Sequence, residues 1–79
     1  MNEQLTRSDV RTMARKAADY ITFNCDGVSE GFEIIYNGYV AFVDYQNDNG
    51  AETVTVPDVW DGNGNEYPDI ADALQLLLN

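Results

Sequence analysis

Asn37-Gly38 stands between two runs of alternating apolar and polar residues, and it constrains this chain more than any other feature. Asn followed by Gly accepts the positive φ angles that a two-residue type I′ turn demands, so the flanking runs fold back as an antiparallel hairpin. The turn sets a register with Tyr36 opposite Tyr39, Ile34 opposite Ala41 and Phe32 opposite Val43. Strands are therefore expected over about 31–37 and about 39–46. A second turn, Asn47-Asp48-Asn49-Gly50, leads into Thr53-Val54-Thr55-Val56, the centre of a third strand over about 51–57. With all four residues in that loop, Val43 meets Val54 and Ala41 meets Val56. Pro57 has no amide hydrogen to give to a ladder, so the third strand should end there or lie at an edge. One face of the meander then carries Phe32, Ile34, Ala41, Val43, Val54 and Val56 and is the core. The other carries Glu33, Ile35, Val40, Phe42, Asp44, Thr53 and Thr55, a mixture of apolar and acidic groups.

Helices flank the strands. Thr6 can cap a helix with Asp9 as its reciprocal partner three residues on, and Leu5 faces Val10 across the start. Val10, Met13, Ala14, Ala17 and Ile21 follow at helical spacing, which predicts a helix over about 7–24, ended by Gly27. Asp58 to Tyr67 reads as a loop rich in Gly and Asn. Pro68 and Asp69 open a second helix over about 69–78, with Ile70, Ala73, Leu74, Leu77 and Leu78 on its apolar side. The expected fold is a single α+β domain over 1–79 in the order α-β-β-β-α, a three-stranded antiparallel sheet with both helices on one face. Its other face is left open to water or to a partner.

Charge is distributed unevenly along this chain. Its 79 residues hold 14 Asp and Glu against 4 Lys and Arg, a net charge of −10. The four bases, Arg7, Arg11, Arg15 and Lys16, all lie on the first helix; everything after Lys16 has acids without a counter-charge. Such self-repulsion opposes compactness, so some other advantage is expected to maintain the acidity: solubility on the plainer reading, attraction to a basic partner on the sharper one. The arginines recur every fourth residue near the positive end of the helix dipole, where they repel one another modestly. Pairing with Glu3 and Asp19 is the expected account of them. Direct contact of the stripe with nucleic acid is not expected, because the remaining surface repels phosphates.

Catalytic and metal chemistry find little support. The chain has no His, and its one cysteine, Cys25, has no neighbouring base to activate it and no partner for a disulfide. Cys25 is expected to be a small buried or semi-buried residue just past the first helix. Asp61-Gly62-Asn63-Gly64-Asn65 with Asp72 matches the ligand spacing of a calcium loop, but Glu66 stands where that loop requires Gly. A turn running into a capped helix is the better reading, so no enzyme activity, cofactor or metal is expected. No apolar run is long enough to span a membrane, and Met1-Asn2-Glu3-Gln4 lacks the basic start of a signal peptide. A soluble, cytoplasmic domain is the expectation.

In size, charge and α-β character the whole chain resembles the small acidic inhibitors that phages and mobile elements carry against host defence, the anti-CRISPR and anti-restriction proteins. These inhibitors share no common fold, so the resemblance transfers no residue positions. It implies a non-enzymatic blocker that occupies a basic, nucleic-acid-binding surface on a CRISPR effector complex or nuclease by acidic complementarity. Toxin-immunity proteins fit the same physics, and a homodimer could bury the same open face. The expected contact residues are Glu33, Ile35, Tyr39, Phe42 and Asp44, with Asp58, Trp60 and Asp61 as a second cluster. Acids there would speed encounter, while the aromatic and aliphatic groups hold the complex.

Overall fold

In the computed structural model, which describes residues 5–79, the order is helix α1 (Arg7–Tyr20), strands β1 (Glu30–Tyr36), β2 (Tyr39–Asp48) and β3 (Ala51–Asp61), and helix α2 (Pro68–Leu78). Helix α1 begins as its sequence dictates. The Thr6 hydroxyl accepts from the Asp9 amide at 3.1 Å, and the Asp9 carboxylate accepts from the Thr6 amide at 3.0 Å. At its far end α1 widens into a π-helical turn, Ile21–Cys25, and exits through two left-handed residues, Asp26 and Gly27. Cys25 is buried there, and burial pushes its thiol pKa up. No helix among the described residues is long and apolar enough to cross a membrane. The Cα radius of gyration is 12.4 Å.

The sheet is antiparallel in the order β1-β2-β3. Asn37 and Gly38 both have positive φ, and Tyr36, Ile34 and Phe32 stand opposite Tyr39, Ala41 and Val43 as the turn requires. The second hairpin departs from expectation. Its loop is two residues, Asn49-Gly50, again both at positive φ, so Asp48 pairs with Ala51 and Tyr45, not Val43, meets Val54. The Asn47 side chain accepts from the Gly50 amide at 2.9 Å, which lets the turn close one residue pair further out.

Strand β3 also does not stop at Pro57. Phe42 pairs with Asp58 while Asp44 pairs with Thr55, so Val43 faces both Val56 and Pro57 across a β-bulge. The bulge's extra residue is left out of the ladder, so a proline is tolerated there on an edge strand. It also resets the alternation: Val54 and Val56 face inward before it, Val59 after it. Ala41 consequently meets Val59 instead of Val56, and the segment after Pro57, expected as loop, is strand up to Asp61.

Both helices cover the inner face. Met13, Ala14 and Ala17 of α1 and Ala71 and Leu74 of α2 join Phe32, Ile34, Ala41, Val43, Tyr45, Val54, Val56 and Val59 in one buried cluster. The Tyr20 ring stacks on Phe32 with centroids 4.0 Å apart. Every residue expected on the inner face is buried, because the corrected register moves Val54 and Val56 by two places, an even number that leaves their facing unchanged.

Candidate protein interaction face

The outward face of the sheet is built from residues that alternate with the core. Across the strands, three rows are in register: Ile35, Val40 and Trp60; Glu33, Phe42 and Asp58; and Gly31, Asp44 and Thr55. Glu66 pairs with Trp60 in an isolated bridge and extends the first row. Directly opposed side chains in such rows are close neighbours, so Phe42 is flanked on both sides by carboxylates. The bulge at Val56-Pro57 is what places Asp58 and Trp60 here. Expected as a separate loop cluster, they belong to the same surface as Glu33, Ile35, Phe42 and Asp44.

Phe42 owes its place to a glycine. A Cβ at Gly31 would stand 3.0 Å from Cζ of Phe42, so the ring lies diagonally across the bare backbone of β1 and is half-buried there. Ile35, near the end of the edge strand β1, remains 69% exposed. Val40 and Trp60 are half-buried beside it. Asp44 accepts from the Gln46 side chain at 2.9 Å, which holds its carboxylate on this face.

Two expected contact residues fall elsewhere. Tyr39 is on the inner face, 7% exposed, with its ring edge-on to Tyr67 at 5.2 Å; the alternation set by Asn37-Gly38 turns it toward the core. Asp61 is the hub of the turn after β3. It accepts from the amides of Asn63 and Asn65, from the Asn65 side chain and, at 2.7 Å, from the Tyr67 hydroxyl. These donors, Tyr67 foremost, hold its carboxyl down to about 2, and Asp61 in turn pushes the Tyr67 hydroxyl up to about 12. With its oxygens so occupied, Asp61 organises the chain that leads into α2.

Asp61 and Tyr67 are one of four such pairs among the described residues. Tyr36 donates to Asp9 at 3.1 Å, Tyr45 to Glu52 at 2.6 Å, and Tyr20 to Glu30. In each, the carboxylate raises the tyrosine's pKa through that hydrogen bond. A chain short of cations has thus used neutral phenols to satisfy the acids that border its core. The cations themselves stay apart: Arg7, Arg11, Arg15 and Lys16 are exposed on α1, and no ion pair joins them to an acid among the described residues. Glu3, one expected partner of the arginines, lies outside the described residues; Asp19, the other, makes no such pair.

Sequence reading missed the part played by Gly31, by Glu66 and by the tyrosine hydroxyls. A glycine inside a strand, diagonal to an aromatic, was the available signal for the first. Comparison with family models, with curated proteins and with solved structures finds no match for this chain.

Proposed function

We propose that this protein is a non-enzymatic inhibitor that docks on a basic, nucleic-acid-binding surface of a bacterial defence complex or nuclease. One observation carries the reading: the open sheet face sets an apolar strip, Ile35, Val40, Phe42 and Trp60, among the carboxylates of Glu33, Asp44, Asp58 and Glu66, with no cation on any strand. Aromatic and aliphatic side chains at the centre of a patch supply lasting affinity, and like-signed charge around them speeds encounter with an opposite surface. A standard contact of about 800 Å² per partner would take roughly a seventh of the 5280 Å² surface, an area one sheet face can offer.

Nucleic acid presents a dense line of negative charge, and proteins that bind it neutralise phosphates with Lys and Arg. An acidic face held rigidly by a three-stranded sheet competes for those same cations. The buried Cys25, its thiol pKa raised, is poorly suited to nucleophilic work, in keeping with a blocker that acts by occupancy.

The test is displacement. Purified CRISPR effector complexes and nucleases are presented with labelled nucleic acid, and the protein is titrated in. Displacement by the native chain is expected, with association slowed at least about tenfold at low salt by Glu33→Lys combined with Asp58→Lys, and with the difference shrinking as salt rises. An unchanged association rate in the double variant overturns docking through this face. Sedimentation over a concentration series checks the alternative use of the face, since docking on a basic partner requires no self-association.

A further inference from the structure

The two edges of the sheet are finished differently. The outer edge of β3 is covered along its length. Asn79 of the α2 terminus accepts from the Val54 amide at 3.1 Å and donates to the Val54 carbonyl at 2.7 Å, and Gln75 accepts from the Val56 amide at 3.0 Å. Further on, the Tyr67 amide donates to the Val59 carbonyl at 2.8 Å, and the Asp61 amide donates to the Asn65 carbonyl at 3.0 Å. The outer edge of β1 has no such cover. Because Tyr36 and Tyr39 flank a two-residue turn, residues 36, 34, 32 and 30 bond to β2, and the amides and carbonyls of Gly31, Glu33 and Ile35 point away from the sheet. No hydrogen bond from another described residue reaches them.

Beside this bare edge lies a groove between β1 and the end of α1, lined by Tyr20, Phe23, Lys16 and Asp19 on one side and Glu33 and Ile35 on the other. Phe23 is 79% exposed at its rim. Exposed edges of this kind are templates for a further strand, and natural proteins ordinarily blunt them with lysine, proline or a covering segment. Among the described residues that line the groove Lys16 is the one cation, and it sits on the helix, not on the strand.

We propose that the β1 edge accepts an extended, basic segment of the partner protein as a fourth, antiparallel strand. Charge selects that occupant. A residue hydrogen-bonded opposite Glu33 projects its side chain onto the outward face beside that carboxylate, with Asp44 and Asp58 on the strands behind it. A Lys or Arg at that position is attracted, and its methylene stem can lie along Ile35. Residues on either side of it turn the other way, into the groove at Tyr20 and Phe23, and there apolar side chains fit. A second copy of this chain is the wrong occupant: paired about the centre of β1 it would set Glu33 against Glu33 between two bodies of charge −10 each. Main-chain hydrogen bonds then supply affinity, and the alternation of side chains supplies specificity.

The basic character of the occupant rests on the function proposed above; the openness of the edge does not. The probe is a synthetic peptide of about nine alternating Val and Lys residues, added to the full-length ¹⁵N-labelled protein. Its binding is expected to slow hydrogen exchange at the Gly31, Glu33 and Ile35 amides at least about tenfold and to leave Val54 and Val56 unchanged. A peptide with Glu in place of Lys, and a Val/Lys peptide N-methylated at alternate residues to block its pairing edge, should each bind at least about tenfold more weakly. Binding without protection of those three amides, equal binding of either control peptide, or no binding overturns the proposal. If the amides stay unprotected while charge reversal at Asp58 still abolishes displacement of nucleic acid, the strand addition falls and the function stands. If they are protected and no nucleic acid is displaced from any basic protein, the function falls and the edge remains a strand acceptor.

Discussion

The inner and outer faces of one sheet are made from the same three strands, yet they are put to opposite uses. Both are rich in apolar residues. The inner set is sealed by two helices, its bordering acids satisfied by tyrosine hydroxyls; the outer set is left uncovered, and among the described residues no cation or phenol pairs with its acids. The difference teaches that the acidity of this chain is not one property. Asp9, Glu30, Glu52 and Asp61 hold the fold together, whereas Glu33, Asp44, Asp58 and Glu66 surround a surface that the fold merely displays.

That contrast can be broken most directly by truncating one large side chain on each face. Leu74→Ala, at a position only 1% exposed, removes a side chain packed by both helices and the sheet. It should cost about 2–5 kcal/mol, read as a lower midpoint in urea unfolding. A loss below about 1 kcal/mol would mean that the inner face is not a tightly packed core.

Gly31→Val probes the close approach of Phe42 to β1 on the outer face. With Phe42 present, the new side chain displaces the ring and should cost about 1–3 kcal/mol. In a Phe42→Ala background the same change should instead stabilise, because Val suits a strand better than Gly. Equal effects in the two backgrounds would show that the ring does not rest on Gly31.

The tyrosine–acid pairs predict a pH dependence on the inner side. Asp61 is held at about 2 against an ordinary 3.8, so its contribution is complete above 3.8 and is lost as pH falls toward 2. Tyr67 is raised to about 12 from 10, so its contribution is complete below 10 and is lost as pH rises through 12. Thermal midpoints measured across pH should decline in both windows, and Asp61→Asn should shrink both declines. A variant that tracks the native profile would remove Asp61 from the fold's support.

Ile35→Ala should have the smallest effect on stability, within about 0.5 kcal/mol, since the side chain is already largely in water. Its effect is expected on dissociation from the partner, as a faster off-rate in surface-binding kinetics. A marked fall in stability would move Ile35 from the displayed surface to the packed one.

Much of the fold was legible because it is decided within a few residues. The capping box at Thr6 and Asp9, Pro68 at the start of α2 and the turn at Asn37-Gly38 each depend on local backbone geometry. Asn49-Gly50 carries the same signal as Asn37-Gly38, and the preceding Asn47-Asp48 masked it by offering a longer loop of equally suitable residues. The candidate site was less legible. Glu33, Ile35, Phe42 and Asp44 follow from simple alternation, but placing Asp58 and Trp60 beside them needed the bulge. Tyr39 is of a residue type common at contact surfaces, yet its register beside the Asn37-Gly38 turn already turns it inward.

By itself the sequence determined the order of elements, the first hairpin's register and the division of strand residues between two faces, since φ preferences, caps and alternation act over neighbours in the chain. Only the tertiary structure decided where β3 bulges, which acids find phenols and which edge stays bare. Those depend on groups far apart in sequence: Tyr36 reaches Asp9 and Asn79 reaches Val54 only after the helices have settled on the sheet. Packing brings such groups together, and no local preference encodes the meeting.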